Sequence, residues 1–366
     1  MSLKCGIVGL PNVGKSSLFN ALSNAGAEVE NFPFCTIDPN VGIVPVPDKR
    51  LDQLAELVKP KAVTPTTIEF VDIAGLVKGA SEGKGKGNAF LSHIRDVDLI
   101  IHVIRCFEDD DVTHVEGGID PVRDIGIIES ELLFKDLETL ERREERTRKM
   151  AKSGEKTILN QLQMLTGLRK HIEQGKSVRT YDNWDPTHPA FQELYMLTAK
   201  KVLYLCNVSE DDLPDGNGNH NVIKVREYAD QEGAKTTIVC AKIESEIAEL
   251  DDEGKREFLA SLNLKESGLN RFISAAYEDL GLITFFTAGP KEVRAWTVRE
   301  GTKAPQAAGV IHTDFEKGFI RAETIAFDDF ITAGSESAAR EAGKMRSEGR
   351  GYTVKDGDVM LIRFNV

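Results

Sequence analysis

Short runs of apolar residues alternate with helical patterns along most of the chain. Several runs are apolar throughout, which is typical of parallel strands covered on both faces of a sheet. Helical patterns follow most of them and predict an α/β fold, with βα units forming a doubly wound, mostly parallel sheet. The predicted strands are 4–8, 41–46, 66–71, 98–105, 201–206 and 236–240.

The interval between the strands ending at Arg105 and starting at Lys201 is about 95 residues long, although one crossover needs only a few tens. Two helical stripes of apolar residues occupy it. The first consists of Ile128, Leu132 or Leu133, Leu137 and Leu140, and the second of Ile158, Leu162, Leu165, Leu168 and Ile172. Ser153-Gly154 lies between them as a turn. We therefore expect an antiparallel, coiled-coil helical arm over about 125–195, inserted into a domain that spans 1–275.

The pattern changes after about residue 275. Alternating β-rich segments follow, at 282–286, 295–298, 319–325 and 359–364, separated by Gly-Pro and Asp-Gly turns. These segments predict a separate small α+β domain over 278–366.

Composition and charge narrow the function classes. The 366 residues are 41% hydrophobic and 29% charged, as in ordinary globular proteins, and the net charge is −13. This charge argues against a whole surface that coats DNA, but it leaves a local basic patch open. Residues 141–179 contain eleven Lys and Arg against five Asp and Glu. Such a segment is either a solvated helical face with i,i+4 ion pairs or a basic prong for an RNA backbone.

Targeting and membrane signals are weak. The longest apolar run, 99–103, is interrupted by His102 and is far shorter than the roughly 18 residues of a membrane span. The N-terminus shows no signal-peptide pattern. The five cysteines have no CxxC spacing, so neither a disulfide framework nor a zinc site is expected. These features predict a cytoplasmic protein without membrane contact.

The segment 9–16 matches the G-x-x-x-x-G-K-[ST] pattern of a P-loop. It follows a predicted strand and opens a predicted helix, which is the context that gives the pattern its meaning. Asn12, Val13, Gly14, Lys15, Ser16 and Ser17 are therefore the predicted phosphate-binding residues. Lys15 is expected to reach the β- and γ-phosphates and Ser16 to ligate Mg²⁺.

Asp72-Ile73-Ala74-Gly75 follows the apolar strand 66–71. At a strand end after a P-loop, Asp72 is a candidate Walker-B-type aspartate, and Gly75 a candidate γ-phosphate sensor. Thr36, in the loop between the P-loop and the second strand, is one of several candidates for a hydroxyl ligand of Mg²⁺.

Asn207-Val208-Ser209-Glu210 follows a late strand, where guanine-specific switches carry Asn-Lys-x-Asp. Glu210 is one methylene longer than Asp, which spoils a two-point bond with guanine. We expect Asn207, the backbone and packing of Val208 on the ring to read the base. The motif argues for weakened guanine selectivity and leaves ATP and GTP about equally open.

Leu76 stands where many GTPases carry a water-orienting glutamine, and leucine cannot hydrogen-bond water. Two other groups are candidates for the role of the missing glutamine. Asn12 is a candidate for holding a monovalent cation such as K⁺ beside the phosphates. His114, in a polar loop past the fourth predicted strand, is a candidate catalytic residue, with an ordinary surface histidine as the alternative. His102, inside that strand, is expected to be a packed core histidine.

Taken together, these motifs resemble those of the Obg-like ATPases of the YchF subfamily, translation-factor-related P-loop proteins. The resemblance covers essentially the whole chain, and Ala308-Gly309-Val310-Ile311-His312-Thr313-Asp314-Phe315 looks like part of that subfamily's TGS domain, a β-grasp fold. It implies ATP hydrolysis with Mg²⁺ on Ser16 and Thr36, adenine contacts at Val208, GTP binding in some members, and association with ribosomes through the arm or the TGS domain. Cys240-Ala241-Lys242 departs from the Ser-Ala-Lys of related GTPases and leaves the second base loop open.

Three functions remain as alternatives to a slow switch ATPase on the ribosome. They are a GTPase of ribosome assembly, a P-loop phosphotransferase, and a nucleotide-binding scaffold that barely hydrolyses. The glycine-rich segment after Asp72 and the appended domain favour a switch over a kinase.

Overall fold

The structure, a computed structural model, describes residues 3–26, 40–73, 86–109, 111–112 and 114–365. The chain divides into two compact units. The first comprises Met1–Ile43 and Glu69–Phe272, and the second comprises Val44–Ile68 and Ile273–Val366. None of the described helices is long and apolar enough to cross a membrane.

The secondary structure alternates strands and helices in the first unit and is richer in strands in the second. The strands are β1 Lys4–Val8, β2 Val41–Pro45, β3 Ala62–Thr64, β4 Thr67–Asp72, β5 Leu99–Arg105, β6 Lys201–Asn207, β7 Lys235–Val239, β8 Leu282–Ala288, β9 Glu292–Arg299, β10 Phe319–Ala326, β11 Arg346–Glu348 and β12 Asp358–Phe364. The helices are α1 Lys15–Gly26, α2 Lys49–Val58, α3 Lys86–Arg95, α4 Pro121–Met150, α5 Lys156–Glu173, α6 His220–Glu232, α7 Ala241–Ala248, α8 Asp252–Ser261, α9 Gly268–Asp279, α10 Ala304–Ile311, α11 Thr313–Lys317, α12 Phe327–Ala333 and α13 Glu336–Glu341.

The first unit is built on a six-stranded sheet in the order β2-β4-β1-β5-β6-β7. β1 is parallel to both β4 and β5, and β6 is parallel to β5 and β7. Every residue of β5 is buried, as its mostly apolar sequence predicts, and the burial includes His102 and Arg105. His102 within it lies against the ring of Tyr204, and burial lowers the pKa of its imidazole to about 3. The predicted parallel sheet and the core position of His102 are confirmed.

α4 and α5 form the helical arm, and Gly154 turns the chain between them with a φ of 74°. The arm contains more than the two helices that the sequence predicts. The irregular segment after α5 packs back on the pair and adds Val178, Phe191 and Leu194 to its apolar cluster. This return is fixed by the buried carboxylate of Asp136 on α4, which accepts hydrogen bonds from the backbone of Leu197 and from Thr198.

Several cations of the arm form ion pairs with carboxylates. On α4, Arg148 pairs with the buried Glu144 and Lys149 pairs with the exposed Glu145, both at i,i+4 spacing. At the base of the arm, Arg179 is nearly buried between Glu129 and Glu232, at 2.7 and 2.8 Å. These ion pairs are typical of a solvated helical face, and the choice between such a face and a basic prong for RNA stays a prediction.

The second unit contains a six-stranded sheet in the order β11-β10-β12-β8-β9-β3. β8 and β9 form an antiparallel hairpin, β12 lies parallel to β8, and β10 is antiparallel to β12. With α10 between the two strand pairs, this is the predicted β-grasp arrangement. The sequence pattern did not reveal β3 or β11, which are three residues each and too short to show an alternation.

The segment Val44–Ile68 belongs to the second unit, although the expected boundary placed it in the first domain. β3 pairs in parallel with β9, and α2 contributes Leu51 and Leu54 to a cluster that includes Phe286. The guanidinium of Arg50 donates to Asp48 and, at 2.6 Å, to Asp356 near the C-terminus. Long-range pairing and burial, which local patterns do not encode, therefore determine where this segment folds.

Candidate functional site

The segment between β1 and α1 forms a tight loop that requires glycine at two points. Gly14 has a φ of 92°, a left-handed conformation that glycine adopts without strain. A Cβ atom on Gly9 would lie 2.8 Å from the carbonyl oxygen of Val103 on β5. Val13 is buried between them, and α1 starts at Lys15. The unpaired N–H groups of the first helical turn therefore lie at the end of this loop, where they suit an anion.

Lys15 and Asp72 form an ion pair at the end of the loop. Asp72 is the last residue of β4, in register with Ile7 on the neighbouring β1, and both side chains of the pair are partly buried. The two residues that the sequence predicted for phosphate and metal are thus in contact. Asp72 holds the ammonium group of Lys15 beside the first turn of α1.

The described residues fit a magnesium–nucleotide complex. Mg²⁺ in such sites takes one or two protein oxygens and completes its shell with phosphate and water oxygens. Ser16 is exposed on the first turn of α1, and Asp72 supplies a carboxylate next to Lys15. Ser17 is also exposed on that turn. The predicted residues Thr36 and Gly75, like Leu76, lie outside the described residues.

Asn207, at the end of β6, links the loop before α1 to the start of α7. Its Nδ2 donates to the carbonyl oxygen of Val13 at 2.9 Å, and its Oδ1 accepts from the backbone N–H of Ala241 at 2.9 Å. The side chain is almost completely buried. Asn207 therefore sets the distance between two loops, in addition to any contact it makes with a base.

The residues after Asn207 differ in their exposure. Val208 is 2% exposed, and its N–H donates to the carbonyl oxygen of Val239. Its side chain belongs to the core in this structure, whereas the sequence predicted that it packs on a nucleotide ring. Glu210 is exposed at the start of a short 3₁₀ helix. Of these two residues, Glu210 is the one that presents its side chain to solvent.

His114 is buried and bonded through both ring nitrogens. Nε2 lies 2.8 Å from a carboxylate oxygen of Asp124, and Nδ1 accepts from the N–H of Glu116 at 3.1 Å. Asp124 also accepts from the guanidinium of Arg123. The alternative of an ordinary surface histidine is therefore wrong, since the side chain is 5% exposed. A role toward phosphate requires one of these bonds to open.

Sequence reasoning missed the groups that position the loop before His114. Arg105, the last residue of β5, is buried and donates to the backbone oxygens of Phe107, Asp109 and Val112 at 3.2, 3.1 and 2.7 Å. Asn219 caps α6 and also donates to the carbonyl oxygen of Cys106. The sequence did contain a signal for Arg105, because a cation at the end of a mostly apolar strand indicates a buried charge with specific partners.

The fold and the site define a P-loop nucleoside triphosphatase with a G-domain. Two family models match the chain. The family described as 50S ribosome-binding GTPase matches residues 4–151, and the family YchF-GTPase_C, described as a protein of unknown function, matches residues 282–365.

Similar proteins cover the full length of the chain. It is 56% identical over 366 residues to the ribosome-binding ATPase YchF of Bacillus subtilis (strain 168), with both chains covered completely. It is 49% identical to the Obg-like ATPase 1 of Rattus norvegicus, covering 100% of this chain and 93% of the relative. The solved structure of the Schizosaccharomyces pombe YchF GTPase superposes with a TM-score of 0.87 at 40% identity, covering 99% of this chain and 98% of that one. The chain belongs to the YchF family of Obg-like ATPases.

Proposed function

We propose that this protein hydrolyses ATP to ADP and phosphate with Mg²⁺ and acts as a slow switch that binds ribosomes. The observation that carries the proposal is the Lys15–Asp72 pair beside a glycine-bounded loop at the start of α1. Relatives that match the whole chain are named ribosome-binding ATPases, which supports ATP as the nucleotide and the ribosome as the partner.

In this proposal, the backbone of residues 12–17 surrounds the phosphates and Lys15 neutralises their charge. Ser16 and Thr36 would hold Mg²⁺, and Asp72 would add a negative charge close to the metal. When bound, the metal supplies charge neutralisation at the β- and γ-phosphates. Gly75 senses the γ-phosphate. Asn12 holds K⁺ beside the phosphates. This assignment is supported by the amide oxygen that its side chain supplies within the loop.

The base loop favours ATP over GTP. A carboxylate that accepts from both N1–H and the N2 amine of guanine needs the reach of aspartate, and Glu210 is longer. Because Glu210 is exposed, Glu210→Asp leaves the core intact. Competition titrations with labelled ATP and GTP are expected to show an ATP preference in the wild type. In Glu210→Asp they are expected to show a shift toward GTP of about ten-fold. A hundred-fold GTP preference of the wild type contradicts the assignment and favours a GTPase of ribosome assembly.

His114 is proposed to orient or polarise the attacking water in place of the missing glutamine. The bond between its Nε2 and Asp124 fixes the ring, and release of the contact between Nδ1 and the N–H of Glu116 frees a nitrogen. His114→Ala is expected to lower kcat by about a hundred-fold with little change in the Kd for ATP. An unchanged kcat together with a lowered Tm assigns the residue to loop stability alone and removes it from the mechanism.

Two experiments separate the alternatives. Equal amounts of ADP and free phosphate, formed without an acceptor, exclude a phosphotransferase, and turnover no faster than in solution favours a scaffold. Cosedimentation with purified ribosomal subunits, with and without ATP, tests the partner. If the protein stays in the supernatant both with and without ATP, the proposed ribosome binding is contradicted.

A further inference from the structure

One face of the second sheet is covered by helices at one end and open at the other. Residues paired across β10 and β12 point to the same face. Three successive pairs on this face are Ile325–Val359, Glu323–Leu361 and Arg321–Arg363. The first pair is buried with Phe330 of α12 and Ala339 of α13. Beyond it, Leu361, Arg321 and Arg363 are exposed, so the helices end before the sheet does.

Three arginines surround Glu323 at the open end, and we call Arg321, Arg340 and Arg363 the arginine triad. Their Nη2 atoms lie 3.2, 3.2 and 3.0 Å from its carboxylate oxygens. The Glu323 side chain is 9% exposed, whereas the arginines are 50%, 51% and 46% exposed. Hydrogen bonds from Arg363 and Arg321 hold the pKa of Glu323 below its usual range, so the carboxylate is charged at neutral pH.

The triad has more positive charge and more donors than Glu323 satisfies. A guanidinium carries five N–H donors in a rigid fork. Arg321 and Arg363 each bond Glu323 through one nitrogen, and Arg340 also bonds Glu336 on its own helix. Three cations therefore face two carboxylates, and the half-exposed guanidiniums have more N–H donors than these carboxylates use.

We propose that the arginine triad binds the phosphodiester backbone of RNA, with Glu323 as the positioning residue that holds the three guanidiniums together. The inference rests on the proposed ribosome binding and names the chemistry of one contact. Planar guanidiniums match phosphate oxygens in a two-point geometry. Leu361, Ile320 and Phe364 are also exposed on these two strands. The three guanidiniums nevertheless form the centre of the surface, whereas protein interfaces are built around buried aromatic and apolar anchors.

The arm is the competing surface, and it offers a matched control. Arg142 and Arg148 on α4 are 68% and 62% exposed, each with an i,i+4 glutamate partner. Replacing them removes two positive charges, as many as Arg340→Gln with Arg363→Gln. The triad variant keeps Arg321 bonded to Glu323, so no buried carboxylate is left without a partner.

The experiment measures the affinity of the full-length protein for a short fluorescent duplex of ribosomal RNA at increasing KCl. Each lost phosphate contact lowers the slope of log K against log salt concentration by about one unit. Arg340→Gln with Arg363→Gln is expected to lower the slope by about two units and the affinity at low salt by at least ten-fold. Arg142→Gln with Arg148→Gln is expected to leave both unchanged. A slope that falls in the arm variant and not in the triad variant overturns the inference.

Two further measurements keep the outcomes separate. Arg340→Lys with Arg363→Lys keeps the two charges and is expected to keep the slope of log K against log salt concentration. A lower slope in this variant, with an unchanged Tm, contradicts a phosphate contact. Wild-type cosedimentation with ribosomal subunits tests the proposed function on its own. If the wild type cosediments and the triad variant does so equally well at every salt concentration, the inference fails and the proposed function stands. If the wild type does not cosediment but the duplex titration shows the predicted slope change, the proposed function fails and the triad remains an RNA contact.

Discussion

Gly14 and Asn207 are packed so closely that a Cβ atom on Gly14 would overlap the amide nitrogen of Asn207. The same amide nitrogen donates to the carbonyl oxygen of Val13. The loop before α1 and the end of β6 are therefore closely fitted to each other.

The first prediction follows from this fit. Gly14→Ala places a side chain in a left-handed conformation and pushes Asn207 away from Val13. We expect a loss of about 2–4 kcal/mol in nucleotide binding or in stability. Isothermal titration with ATP, together with thermal unfolding, measures both. Gly126→Ala on α4, where a Cβ meets nothing within 4 Å, is the control and is expected to leave nucleotide binding unchanged and to raise stability by up to about 1 kcal/mol.

The second prediction concerns Asn207. Asn207→Ala leaves the Val13 carbonyl and the Ala241 N–H buried without the partners they have now, which costs about 2–4 kcal/mol in total. The Kd for ATP is expected to rise because the loop loses its support. Asn221→Ala, outside the loops on α6, serves as the comparison variant. Equal ATP affinities of Asn207→Ala and wild type would show that the bridge is not needed.

The third prediction is a pH dependence at the base of the arm. Burial raises the pKa of Glu129 from 4.5 to about 7, against the opposing effect of Arg179. The folded state therefore takes up a proton between pH 4.5 and 7, and stability from this group falls as pH rises through that window. We expect Glu129→Gln to remove about 1–3 kcal/mol of this decline, measured by urea unfolding at pH 5 and pH 8.

Glu138 on the same helix provides the control for the pH experiment. Lys135 holds its pKa below the usual value, so it does not titrate in this window. Glu138→Gln is expected to leave the pH dependence as in the wild type. Parallel stability curves for Glu129→Gln and wild type would contradict the assignment.

The fourth prediction tests the folding of Val44–Ile68 with the second unit. Trp184 packs in the apolar cluster of the arm, and Trp296 packs in a cluster of the second unit. In a variant that keeps only one of these two tryptophans, its fluorescence reports on the unfolding of one unit. Leu54 and Leu165 are both fully buried. Leu54→Ala is expected to lower the unfolding midpoint that Trp296 reports, by an amount equivalent to about 2–5 kcal/mol. Leu165→Ala is expected to lower the midpoint that Trp184 reports by a similar amount. A Leu54→Ala effect seen only by Trp184 would place this segment with the first unit.

The sequence predicted the parts of the molecule that are written in local patterns. The apolar run of β5 and the stripes of α4 and α5 lie where the pattern placed them. The P-loop pattern and the Asp after a strand predicted a phosphate site, and the structure brings Lys15 and Asp72 into contact.

Other features depend on partners far away in the chain. Val44–Ile68 joins the second unit because β3 pairs with β9, more than 200 residues later, and no local pattern encodes that pairing. The burial of His114 depends on Asp124 and on the loop that Arg105 holds. The motif predicts that Val208 packs on a base, yet its side chain, one residue after the end of β6, is only 2% exposed.

Phosphate release from ATP by the purified protein, without an acceptor and in the presence of Mg²⁺, tests the central claim most directly. We predict equal amounts of ADP and phosphate from the wild type. We predict a loss of at least about a hundred-fold in turnover in Lys15→Ala, because that variant lacks the ammonium group paired with Asp72. Turnover by Lys15→Ala equal to that of the wild type, or a wild type that releases no phosphate, would contradict the account.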